Sequence, residues 1–188
     1  MKTSFAIAAL IAPVMTLGAC SSDVRLSVPE VPSEVRANSS YPSLEVRLVS
    51  LPTYAGEETV ATQNADGTIT ANAGLLWADD PARSLTMALA RQLTQITGAT
   101  VAPEPWPFDA YPAGRVDIRF SDLLAQADGT LLLAGQYFVV DSEGRGRDRA
   151  RLFRITETID GTGSPADIAR ARSAALAKLA EEIVQNGL

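Results

Sequence analysis

Carboxylates, Lys, Ser and Tyr are the side chains left to carry catalytic chemistry in this sequence, because it contains no histidine. Ser-His and Cys-His nucleophiles and His-ligated zinc are thereby excluded. Two carboxylates facing one another about 5–10 Å apart would suffice for glycoside cleavage, as in a wall hydrolase. Asp79-Asp80 and Glu181-Glu182 are adjacent pairs. Neighbours on a helix point in different directions, and Asp80 directly before Pro81 reads as a helix cap. Neither pair reads as catalytic. Arg145, Arg147, Arg149, Arg151 and Arg154 form a local basic cluster. In an extended chain the first four would share one face and could meet phosphates or an acidic partner. Glu143 and Asp148 lie among them and Gly144 and Gly146 break the run, so a solvated hairpin tip is the plainer reading. Trp77, Trp106, Phe108 and Tyr111 remain, and rings beside prolines more often pin a loop to a core than form a recognition groove. There is no Gly-rich phosphate loop, EF-hand or nucleotide fingerprint. No catalytic residue, cofactor or metal is expected, and the chain reads as non-enzymatic.

The residue with chemistry of its own is Cys20, the single cysteine. One thiol forms no internal disulfide and no multi-Cys metal site. Lys2 precedes an apolar run from Phe5 to Leu17, and Leu17-Gly18-Ala19-Cys20 follows. This is the layout of a secretory signal peptide over residues 1–19. As a helix the apolar run would reach only about 20 Å, against a hydrocarbon core of about 30 Å. LGAC resembles a bacterial lipobox, in which the cysteine is acylated and becomes the first residue after cleavage. Several acyl chains at about 0.8 kcal/mol per buried methylene would hold Cys20 at a membrane essentially permanently. Ser21, rather than Asp, follows the cysteine, which by resemblance to Gram-negative lipoproteins implies the outer membrane. A net charge of −6 and a pI near 4.7 argue against nucleic acid as a partner.

The elements behind these residues follow from periodicity. Residues 20–43 carry prolines and serines with little hydrophobic pattern and read as a flexible tether. Leu44 to Val49 alternates as a half-buried strand. Glu58–Gln63 and Thr68–Ala71 flank an Asn-Ala-Asp-Gly turn, and Leu75–Ala78 leads to the Asp80 cap. Leu85, Leu89, Leu93 and Ile96 share one helical face that Gly98 closes. Thr100–Ala102 is a short strand before four prolines. Val116, Ile118 and Phe120 alternate, Thr130 to Asp141 is long and apolar, and Arg151 to Ile159 is the last strand. Ser164-Pro165-Ala166-Asp167 opens a second helix by a capping box, with Ile168, Ala171, Ala175, Leu176, Leu179 and Ile183 on one face. The order implies one α+β domain over 44–188, a mainly antiparallel sheet with two helices packed on one face.

Five segments in order resemble the auxiliary lipoprotein family of ABC-type and MCE-type intermembrane transport systems (PqiC-like). They are Leu51-Pro52-Thr53-Tyr54, Trp77-Ala78-Asp79-Asp80-Pro81, Val116-Asp117-Ile118-Arg119-Phe120, Gly129-Thr130-Leu131-Leu132-Leu133-Ala134, and the run from Ala171 to Ala180. The chain departs from the family pattern at Ala55 and Glu57-Glu58, and at Tyr137, where the family has tryptophan. The resemblance implies a lipid-anchored outer-membrane protein facing the periplasm. It would be a non-enzymatic subunit that docks an MCE-domain carrier of lipid, with homo-oligomer formation as a further expectation. A structural assembly lipoprotein of another envelope machine, for outer-membrane proteins or polysaccharide export, is the alternative.

Overall fold

A computed structural model describes residues 23–145 and 148–188; the signal segment, Cys20 and Arg147 lie outside them. Twelve-residue strands β6 (Gly114–Ala125) and β7 (Thr130–Asp141) form the spine, with β8 (Arg149–Thr158) on the outer side of β7. The other side of β6 is shared. Its start pairs with β2 (Ser43–Val46), which carries β5 (Thr100–Pro103) beyond it. Its last residue, Ala125, meets β3 (Thr59–Gln63), which continues into β4 (Ile69–Trp77) and then β1 (Val24–Leu26). Among the described residues the result is one eight-stranded sheet.

The long ladders, β6–β7 and β7–β8, are antiparallel, as is β3–β4. The short ladders β1–β4, β2–β5, β2–β6 and β3–β6 are parallel, a feature local pattern does not announce. Parallel neighbours need a crossover connection. For β2 and β5 that crossover includes helix α2 (Pro81–Thr97). Helix α3 (Pro165–Asn186) packs beside it, and the pair covers one sheet face, as the expected layer architecture requires. A single helical turn, α1 (Thr53–Gly56), was not expected.

Both long helices start where their caps dictate. The Asp80 carboxylate accepts from the Arg83 amide at 2.7 Å, and Gly98, at φ 65°, ends α2 with its amide bonded to the Thr94 carbonyl. At α3 the Ser164–Asp167 capping box is complete. Leu85, Leu89, Leu93 and Ile96 then meet Ala175, Leu176, Leu179 and Ile183 over Leu44, Val46, Val116, Ile118, Leu133 and Val139 of the sheet.

Asp167 gives the fold a pH dependence. The hydroxyl and amide of Ser164, with Arg170 and the Thr162 amide, hold its carboxyl below the ordinary carboxylate range. The folded state therefore favours the ion. That contribution is fully present above the unfolded-chain value of about 3.9 and fades as pH falls through the lower folded value. Asp167→Asn should be less stable than the parent at pH 7, and the gap in denaturation midpoint should close in acid.

The tether reading of residues 20–43 is corrected from Val24 onward. Val24–Leu26 is strand β1, and the following segment lies along α2 and α3 as an extended strap. Val31, Ser33, Val35, Ala37, Ser39 and Tyr41 face inward in alternation, with Ser33 and Tyr41 buried. Prolines supply no amide donors, so the intervening residues make the bonds. The Val31 amide donates to Ser173 Oγ at 3.2 Å and the Ser33 amide to Gln92 Oε1 at 3.2 Å. Gln92 Nε2 donates back to the Val31 carbonyl at 2.6 Å, and Ser33 Oγ to Glu181 at 2.6 Å.

Candidate functional site

The structure disperses the residues that pattern had grouped. Asp80 caps α2, while Asp79 pairs with Arg83 on the same turn. Glu181 accepts from the strap, and Glu182 lies near the buried Tyr137 hydroxyl, whose pKa is pushed up to about 12 by desolvation, with Glu182 adding to the shift. Among the described residues no group of three or more His, Cys, Asp or Glu could hold a metal ion.

The arginine row also divides. Arg145 sits in the turn, bound to Asp141 and Glu143. Arg149 and Arg151 lie opposite Val139 and Tyr137, whereas Arg154 lies opposite Ala134 on the other face. A single basic stripe from these residues does not form, because the turn ends before β8 begins and alternation sends Arg154 across the sheet. Trp106 and Phe108 make an edge-to-face pair at 5.0 Å, and Trp106 Nε1 donates to the Ala110 carbonyl at 2.6 Å. Tyr111 is 93% exposed. Trp77 is elsewhere, buried at the end of β4.

Trp77 marks the concavity with the most distinctive chemistry. A cavity of about 360 Å³ opens between the start of the strap, the end of β4, α2 and α3, a size at the small end of ligand pockets, about 300–1,000 Å³. Leu26, Val28, Leu85, Ala88 and Leu176 provide its apolar wall. Arg172 of α3 reaches it while only 3% exposed. Its guanidinium carbon lies 4.4 Å from the centre of the Trp77 ring, a cation–π contact. Its Nη2 donates to Ser84 Oγ at 3.1 Å, and its Nη1 is buried without a hydrogen-bond partner among the described residues. Burial alone pushes the guanidinium pKa down to about 10. The acidic residues that also line the cavity are engaged elsewhere, Asp79 with Arg83 and Glu30 with Arg91.

Sequence reading did not single out Arg172 as a site, though a signal existed. It stands four residues after Ile168 and four before Leu176, so helical geometry places its charge on the apolar stripe. Most arginines avoid such positions unless paired.

The family description ABC-type transport auxiliary lipoprotein component matches residues 25–184, which spans β1 to almost the end of α3. The chain belongs to this family. As a transport auxiliary lipoprotein it has similar solved folds. An uncharacterised protein superposes with TM-score 0.68 at 18% identity, covering 86% of this chain and 98% of the other. A Xanthomonas campestris protein of family DUF330 superposes at 0.66 and 15% identity, covering 86% and 92%. A dodecameric PelC from Paraburkholderia phytofirmans gives 0.41 at 14% identity, covering 81% and 95%. No curated protein matches the sequence. The auxiliary lipoprotein match begins at Arg25, within the segment that composition reads as tether and that the fold makes β1. Among the described residues no helix of this lipoprotein is long and apolar enough to cross a membrane.

Proposed function

We propose that this transport auxiliary lipoprotein is anchored by acyl chains on Cys20 at the periplasmic side of the outer membrane. There it docks the distal end of an MCE-domain lipid carrier as a non-enzymatic subunit, in homo-oligomeric form. The observation that carries the reading is the family match over residues 25–184 lying directly after Leu17-Gly18-Ala19-Cys20. The docked strap adds a geometric consequence. From Cys20 to Val24 the chain spans at most about 14 Å, whereas a free tether to Ser43 would span up to about 76 Å. The domain is then held close against the bilayer, so the carrier must come to the membrane surface to reach it.

The deciding experiment is mild cross-linking in native envelopes, followed by purification and mass spectrometry of the captured proteins. Recovery of an MCE-domain protein supports the docking role. Recovery of outer-membrane-protein assembly or polysaccharide-export components, with no MCE protein, overturns it. For the anchor, Cys20→Ala should move the protein from the membrane fraction to the soluble fraction without changing its far-ultraviolet circular dichroism, because the described elements begin only at Val24. A variant that still sediments with membranes in high salt would sink the anchor assignment.

A further inference from the structure

We infer that the cavity beneath the strap is a binding site for a single-chain anionic amphiphile, its oxyanion headgroup held by Arg172 and its apolar stem lying along Leu26, Val28, Leu85, Ala88 and Leu176. The inference goes beyond the docking role and does not depend on it. It starts from a charge without a counter-charge among the described residues. Arg172 is almost fully buried, its Nη1 has no partner among the described residues, and burial is the one influence that displaces its pKa. A desolvated guanidinium in such surroundings gains from any oxyanion brought to its planar fork of donors, and charge-assisted bonds of this kind are the strong ones.

The surroundings select the anion. Asp79 and Glu30 line the same cavity, but Arg83 and Arg91 already neutralise them, which leaves Arg172 as the unmatched charge among the described lining residues. The remaining wall is largely apolar, and a bare inorganic ion would leave it unfilled. Met87, 43% exposed, lines the cavity too and offers an adaptable apolar surface to a flexible chain. Trp77, stacked on Arg172, keeps the guanidinium in place and reports on it. The volume of about 360 Å³ fits one chain rather than the two of a diacyl lipid.

The test titrates dodecyl phosphate, below its micelle concentration, into the Cys20→Ala chain carrying Trp106→Phe, so that Trp77 is the remaining indole. A saturable one-to-one change in Trp77 fluorescence, checked by calorimetry, is the expected result. Inorganic phosphate should give no response at the same concentration, and dodecanol should bind at least roughly tenfold more weakly, as expected when a charge-assisted bond is lost. Arg172→Met should weaken dodecyl phosphate by at least the same factor. Ala88→Phe leaves Arg172 in place and fills the apolar part of the cavity, so it should abolish binding with circular dichroism unchanged; it decides the matter if Arg172→Met does not fold. Non-saturating uptake, equal binding by Arg172→Met, or inorganic phosphate binding as tightly as dodecyl phosphate would each overturn the inference. The last result would mark a bare-anion site.

Discussion

Gly135→Ala is expected to lower the unfolding free energy by about 3 kcal/mol, the upper end of what overpacking costs in a well-packed interior. Gly135 lies at the middle of β7, opposite Phe120 of β6 on one side and Phe153 of β8 on the other. The rings of those two residues meet edge to face at 5.6 Å. A methyl group on Gly135 would overlap the Arg119 carbonyl oxygen and come within 2.9 Å of Phe120 Cα. Both obstacles are backbone, so no side-chain rotation relieves them. The ladder between β6 and β7 already shifts register between Phe120 and Asp122, and the close approach at Gly135 sits beside that irregularity, where a small residue is needed. A domain of this size has a total stability of roughly 5–15 kcal/mol, so the loss is a large fraction of it. Gly56→Ala is the control. Nothing lies within 4 Å of its added carbon, and a surface change of that kind should stay within about 0.5 kcal/mol. Urea midpoints at constant slope measure both. A Gly135→Ala midpoint equal to the parent's would mean that the two central strands can separate freely, contrary to the packing.

The reason Gly135 could not be singled out from sequence is the same reason several other features could not. Local chemistry announced the elements that are locally determined. Asp80-Pro81 and Gly98 bound α2, and Ser164-Pro165 with Asp167 opens α3, because caps are satisfied by residues within one turn. Alternation exposed β6 through Val116, Ile118 and Phe120, since one face of it meets the helices. The hairpin was legible at Asn64 and Gly67, although β4 runs on through Asn72 to Trp77, uniting what read as two pieces. What stayed hidden depends on partners distant in sequence. The strap looked like a linker because its bonds go to Gln92, Ser173 and Glu181, none within fifty residues of Val31 or Ser33. Its period-two burial from Val31 to Tyr41 was present all along, but prolines and serines masked it, as polar residues satisfied by tertiary hydrogen bonds do. The parallel pairing of β1 with β4 is invisible for the same reason. Of the candidate site, the apolar stripe of α3 was legible, while the charge set into that stripe acquires meaning only when Trp77 and Ser84, from β4 and α2, are brought beside it.

That charge leads to the second large effect: Arg172→Met should raise the stability of the fold, by up to roughly 4 kcal/mol, the upper end of what is found when a buried ion pair gives way to well-packed apolar side chains. The sign follows from the surroundings. Desolvation pushes the Arg172 pKa down to about 10, a shift that disfavours the cation in the folded state. Methionine removes the charge, keeps an unbranched stem of similar reach, and places sulfur against the Trp77 ring. Lost with the guanidinium are one hydrogen bond to Ser84 Oγ and the contact with Trp77, together worth about 1–3 kcal/mol. Ser84 Oγ retains its own bond to the Pro81 carbonyl, so the substitution leaves that hydroxyl satisfied. Comparing urea midpoints of Arg172→Met and the parent, without and with saturating dodecyl phosphate, separates structure from use. The variant should be more stable in the absence of the amphiphile, and the parent should gain stability when it is added, since a ligand that binds only the folded state shifts the equilibrium toward it. A variant less stable than the parent by more than about 1 kcal/mol would show that Ser84 and Trp77 alone make the buried cation favourable. A more stable variant that no longer responds to the amphiphile identifies a charge the fold tolerates for the sake of an anion.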